Sequence, residues 1–170
     1  MGVDSKELLS FNDAQLRQLT ARKELLKGGF SAREIAEATR GALQKVDQFR
    51  HLVDIGMFLS PHRLLFYTSA QLATMDANKD LYEIGLKNVK MLGGLDPENL
   101  AKREKFRKYR GLRDEGMLPN QILKYETADL RAILANRNLL SLGITPQQIV
   151  EAQESVETTA ASAMGPCAMR

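Results

Sequence analysis

The chain has 170 residues, of which 44% are apolar, with 24 basic and 21 acidic side chains. This describes one ordinary domain or one short array of repeats with enough apolar surface for a core, and it excludes a disordered chain. A single cysteine, Cys167, excludes a disulfide framework and a cysteine-based zinc site, and the lack of Trp with only 6% aromatic residues argues against stacking platforms and β-sandwich cores.

Taken in chain order, helices are expected over 5–10, 13–27, 32–39, 42–54, 61–74, 77–91, 97–114, 119–126, 129–141 and 146–154, with Gly and Pro gathered at the joints. Asp4, Glu7 and Asp13 stand where a secretory or transit leader would be free of acids, and no window reaches the roughly 18 apolar residues of a spanning helix. A cytoplasmic protein with no membrane association is expected.

The most informative feature is a spacing. Leu-x-x-x-Gly followed by an apolar residue occurs five times: Leu25…Gly29-Phe30, Leu52…Gly56-Met57, Leu81…Gly85-Leu86, Leu112…Gly116-Met117 and Leu139…Gly143-Ile144. The leucines are 27, 29, 31 and 27 residues apart, a period that points to stacked repeats. A helix ends readily with Gly in the left-handed conformation past its last turn, and the next apolar residue folds back on that turn. Helix starts follow each stop: Ser31-Ala-Arg-Glu34 is a capping box, Thr145-Pro146-Gln147-Gln148 combines a Thr cap with Pro at the first helical position, and Pro61 and Pro119 follow Gly56 and Gly116. A second apolar anchor lies six residues past the glycine at Ile35, Met91, Ile122 and Ile149; the copy at Gly56 has His62 there and Leu64 two residues on, as if two residues were inserted. The fold class is therefore all-α, a short solenoid or array of helical hairpins. It forms a helical repeat domain over 1–155, with a flexible tail over 156–170.

The segments Glu24–Ala38 (ELLKGGFSAREIAEA) and Asn138–Ala152 (NLLSLGITPQQIVEA) resemble the helical repeats of mitochondrial transcription termination factors and are similar to TAL-effector-like repeats. Both families are helical solenoids that hold nucleic acid in a concave surface, so the resemblance implies nucleic-acid binding. The proline that closes the first helix pair of a termination-factor repeat is absent at Arg40, Thr68 and Thr127, and a Gly-containing loop of the TAL type occurs only at Arg40-Gly41. No base-by-base code is carried over.

Residues 14–68 also fit a rival arrangement of tandem helix-turn-helix modules. There Leu43–Ile55 would be a recognition helix presenting Gln44, Lys45, Gln48 and Arg50 to the major groove, with Leu64–Thr68 as a wing strand. Both arrangements predict DNA or RNA binding.

The strongest charge feature is 102–113, where Lys102, Arg103, Lys105, Arg107, Lys108, Arg110 and Arg113 face one acid, Glu104. On a helix Arg103, Arg107 and Arg110 would form an outward stripe able to engage phosphates, while Phe106, Tyr109 and Leu112 pack inward. Near the C-terminus Glu151, Glu154 and Glu157 precede small residues, a pattern that also suits an export signal of a secreted effector.

Catalysis has little support. His51 and His62 are the only histidines, and no His-Glu-x-x-His, Cys-x-x-Cys or P-loop pattern occurs. Gly28-Gly29 and Gly93-Gly94 are expected to be helix caps, and Cys167 has no neighbouring base. The sequence predicts a protein with no enzymatic activity, cofactor or metal. Its expected partner is the phosphate backbone of DNA or RNA, and the alternative is a protein-interaction scaffold such as a secreted effector.

Overall fold

A computed structural model describes residues 4–163, and over these residues the chain is all-helical with no strand. The first turns are α1 (Ser5–Leu8), α2 (Asp13–Ala21), α3 (Glu24–Lys27) and α4 (Ala32–Glu37). Next come α5 (Arg40–Phe49), α6 (His51–Asp54), a 3₁₀ helix (Pro61–Phe66), α7 (Ser69–Ala77), α8 (Lys79–Glu83) and α9 (Val89–Gly93). The remainder is α10 (Pro97–Tyr109), a 3₁₀ turn (Arg110–Arg113), α11 (Pro119–Lys124), α12 (Thr127–Ala135), α13 (Asn138–Ser141) and α14 (Pro146–Ala163). The chain divides into two compact units, one ending at Asp96 and one beginning at Pro97, within what the sequence reading treats as a single repeat domain over 1–155.

One local device recurs five times. Gly29, Gly56, Gly85, Gly116 and Gly143 have φ between 79° and 106°, and no other described residue has positive φ. After each glycine the next amide donates to the carbonyl of the leucine five residues back, at 3.2, 3.0, 2.9, 3.0 and 3.1 Å for Leu25, Leu52, Leu81, Leu112 and Leu139. This closes the orphan carbonyls of the helix end and turns the apolar residue back onto the last turn. Leu25, Leu52, Leu81 and Leu112 are buried, as are Phe30, Met57, Leu86 and Met117. The fifth cap is looser: Leu139 is half-buried and Ile144 is 38% exposed.

A second device breaks four of the five long helices shortly before their caps; the helix expected over 42–54 is also divided, α5 ending at Phe49 and α6 starting at His51, but Arg50 between them keeps α geometry with φ −56°. Three residues before the core leucine, Arg22, Asn78, Tyr109 and Asn136 leave α geometry, with φ of −125°, −118°, −107° and −112°. The Asn78 and Asn136 side-chain amides donate to the carbonyls of Thr74 (2.6 Å) and Ala132 (2.9 Å), adding a side-chain bond at the helix end. The continuous helices expected over 13–27, 97–114 and 129–141 are therefore each two pieces. The helix expected over 61–74 is also two, because Thr68 caps α7 through a box with Gln71. The one expected over 77–91 is interrupted by its own glycine, Gly85.

Within each copy the helix before the cap packs on the helix after the glycine: α2 on α4, α5 on the 3₁₀ helix 61–66, α7 on α9, α10 on α11 and α12 on the longer α14. In the first unit the core includes Leu19, Ile35, Leu43, Val46, Phe49, Leu64, Leu72, Met75 and Leu92. Leu64 takes the anchor place after Gly56, and Leu92 takes it after Gly85 in place of the half-buried Met91. Gly93 is not a cap. It is buried at the end of α9, where an added Cβ would lie 2.3 Å from the Met75 Cε on α7. In the second unit Phe106, Tyr109, Leu112, Ile122, Leu130, Ile133 and Ile149 form the core.

Ties between neighbouring copies are specific in the first unit. Arg22 bonds both oxygens of Asp47 at 3.0 and 2.6 Å, His51 meets Asp76 at 2.8 Å, His62 meets Glu34 at 2.9 Å, and the Tyr82 hydroxyl donates to the Gly56 carbonyl.

Two expectations are corrected here. The wing strand at Leu64–Thr68 is absent, because Pro61 starts a 3₁₀ helix through Phe66 and Tyr67 is extended only as far as the Thr68 cap. The tail expected from 156 is helical through Ala163. Nothing at Ala152-Gln153 plays the role of the Thr39 and Thr68 caps, and pairs such as Gln153 with Glu157 (3.0 Å) extend the helix. The rest of that tail, 164–170 with Cys167, lies outside the described residues.

Candidate nucleic-acid interface

The basic segment 102–113 lies on α10 and the 3₁₀ turn that follows it. Its apolar side is set by spacing: Phe106, Tyr109 and Leu112 are at most 1% exposed. These three anchors hold the segment against the second unit's core, so its outer side chains project from a fixed platform.

The seven basic residues do not share one environment. Arg103 is 5% exposed, which corrects the expectation of an outward stripe of Arg103, Arg107 and Arg110. Arg103 sits nine residues before Leu112, where the other copies place Leu16, Leu43, Leu72 and Leu130, so its stem occupies a core position. Lys102 pairs with Glu98 one turn earlier. Lys105 points its ammonium at the end of α11, donating to the Leu123 carbonyl at 3.1 Å and to the Tyr125 carbonyl. Arg113 is half-buried, and its Nε is enclosed without an acceptor among the described residues. Arg107, Lys108 and Arg110 are exposed, and the Lys108 ammonium lies 5.5 Å from the Tyr109 ring centre.

The role of Lys105 is repeated elsewhere. Lys45 donates to the Tyr67 carbonyl at 2.9 Å, and the Gln18 amide donates to the Ile35 and Ala38 carbonyls at 2.6 and 2.9 Å. Gln18, Lys45 and Lys105 all stand seven residues before their core leucine. Each satisfies carbonyls at the end of the short helix that packs on it, and the two lysines also bring a positive charge there. Lys45, expected to face a major groove in the helix-turn-helix arrangement, is therefore occupied inside its own copy. Of that set Gln44, Gln48 and Arg50 are exposed. Seven residues before the five leucines stand Gln18, Lys45, Thr74, Lys105 and Ala132, so the clamp is a partial signal in the sequence, and around Lys105 the run of like charges reads as one surface.

A concavity of the second unit lies between α12 and α14. It measures about 530 Å³ and is lined by Ala128, Ala132 and Ala135 on one side and Gln153, Glu154 and Glu157 on the other. Its charged rim is mainly acidic, so it is a poor receptor for phosphate. Among the described residues no cluster of three His, Cys, Asp or Glu could hold a metal ion. No helix of the described residues is long and apolar enough to cross a membrane.

No family model, curated protein or solved structure matches the chain.

Proposed function

We propose that the chain is a short array of helical repeats that binds the phosphate backbone of DNA or RNA through the outer face of α10 and its 3₁₀ turn, without catalysing a reaction. One observation carries this reading. Arg107, Lys108 and Arg110 are exposed side by side on a segment whose inward residues are fully buried, so positive charge is held at a defined place on a rigid surface. Contacts of this kind position a nucleic acid without reading its sequence. The five glycine caps and the next-neighbour ties support the array, and the likeness to termination-factor repeats belongs to the same reading.

The test is binding of the full chain to labelled duplex and single-stranded DNA and RNA across a salt series. Each phosphate contact contributes about −0.9 to the slope of log K against log salt on duplex DNA, so R107E/K108E/R110E should lower the slope by roughly 3 and weaken binding sharply. A wild type that binds none of these at low salt ends the nucleic-acid reading. The protein-scaffold alternative then takes over, supported by the exposed leucines Leu59 (94%), Leu118 (62%) and Leu142 (75%) beside the cap turns.

A further inference from the structure

When the five copies are aligned on their buried leucine, one column is basic throughout. Two residues before Leu25, Leu52, Leu81, Leu112 and Leu139 stand Lys23, Arg50, Lys79, Arg110 and Arg137. Basic residues are 24 in 170, a minority that does not by itself fill a column. All five side chains are exposed.

The exposure has a structural cause. The column directly follows the place where Arg22, Asn78, Tyr109 and Asn136 leave α geometry. In those four copies the break lets the following one-turn helix direct its leucine inward, so the residue two before that leucine faces outward; Arg50 is exposed in α geometry, without such a break. Lys79 shares its charge with Asp76 at 3.1 Å. Lys23, Arg50, Arg110 and Arg137 make no ion pair among the described residues. Only Arg110 belongs to the dense segment 102–113; the other four lie outside it, and Lys23, Arg50 and Lys79 lie in the first compact unit.

We infer that this column is a phosphate-contacting site repeated once per copy, so that the first unit engages the nucleic acid through Lys23, Arg50 and Lys79 as the second does through Arg110 and Arg137. The inference rests on the nucleic-acid reading above and extends it to residues outside the basic segment. The ligand is the phosphodiester backbone of a double strand. Of the chain's aromatic side chains only Phe66 is exposed, so unpaired bases have no row of rings to stack on, as single-strand binders provide. A phosphodiester backbone instead offers an anion to each exposed cation without requiring a ring to stack on.

A cation in this column also complements the carbonyl end of the preceding helix. That role affects melting and leaves the salt dependence of binding untouched, which separates the two.

The experiment uses the full chain, with duplex DNA, duplex RNA and single-stranded DNA as probes, each across a salt series. K23Q/R50Q/K79Q is compared with K6Q/K27Q/K90Q, which removes the same charge from exposed lysines outside the column. The column variant should lower the duplex DNA slope by roughly 2 to 3, at about 0.9 per contact, and the control variant should leave it unchanged. The duplex bound more tightly then names the source of the backbone. Equal slopes for the two variants overturn the inference, as does a lowered melting temperature with an unchanged slope, or single strands bound as tightly as duplexes. If the column variant behaves as wild type while R107E/K108E/R110E loses binding, the column fails and the basic segment stands. A wild type that binds nothing removes both.

Discussion

Residues 41–50 and 101–110 are buried in the same order, residue for residue. Val46 matches Phe106, Phe49 matches Tyr109, and each segment leads to a buried leucine and a left-handed glycine, Leu52-Gly56 and Leu112-Gly116. Lys45 and Lys105 clamp the neighbouring helix end in the same way. The outward residues differ. Gln44, Asp47 and Gln48 in one segment correspond to Glu104, Arg107 and Lys108 in the other. Asp47 is tied to Arg22 of the preceding copy, whereas Arg107 stands at the same place in the basic face. Inward positions are constrained by packing and outward ones are not, so a shared framework can carry a structural surface in one copy and a cationic one in another.

The largest break in the comparison is at the one inward pair that sets an apolar residue against a charged one, Leu43 against Arg103. Leu43→Arg places a guanidinium at an apolar core position and should destabilise the protein by about 3 kcal/mol or more. Arg103→Leu installs the residue that three other copies bury, but Arg103 is bonded within the fold, so the change leaves a partner behind; its cost should stay below that of Leu43→Arg, which brings a charge to a site built without one. Urea denaturation of both variants checks this, and equal costs would mean that the two segments are not built on one plan.

A smaller effect sharpens the comparison at its glycines. Gly116 has φ +93° and open space around it, so Gly116→Ala should cost about 1–2 kcal/mol through the backbone alone. Gly41 has no atom within 4 Å of an added Cβ, and its counterpart in the other segment is already Ala101. Gly41→Ala should therefore stabilise by about 0.5 kcal/mol. Thermal melts of the pair should move in opposite directions, and a shift of the same sign would contradict the assigned cap.

The smallest effect separates the two compact units by pH. The Glu34 carboxyl is held below its ordinary value first by the Ser31 amide, with the Ser31 hydroxyl and His62 adding to this. Asp76 is held low by hydrogen bonds from His51 and Lys79. A depressed carboxylate stabilises the fold above its unfolded value and loses that contribution as pH falls through the folded one. Both groups lie in the first unit. Melting temperature should thus fall on acidification below the ordinary carboxylate range, and Glu34→Gln with Asp76→Asn should flatten that fall. An acid limb as steep in the double variant as in wild type would show that these pairs do not set it.

Much of the framework was legible beforehand because its signals are short-range. The five glycines named from spacing are the five with positive φ, and Phe106, Tyr109 and Leu112 face inward as their spacing predicts. The breaks at Arg22, Asn78, Tyr109 and Asn136 were missed, since neither Arg nor Tyr is a helix breaker and a lone Asn only weakly favours a break. The basic site was legible as a concentration of charge but not as a surface. Arg103, Lys102 and Lys105 are drawn into the core, an ion pair and a helix-end clamp, and only Arg107, Lys108 and Arg110 remain exposed.

The sequence by itself determined the all-helical class and the positions of the five caps. A Schellman cap is closed by six consecutive residues, and the requirement for Gly at a positive φ does not depend on what packs nearby. Only the tertiary structure decided which cations reach solvent, that Gly93 serves close helix packing, and that Leu64 rather than His62 fills the core after Gly56. Those outcomes depend on what a neighbouring helix places against each side chain, and that information is spread over residues distant in the chain.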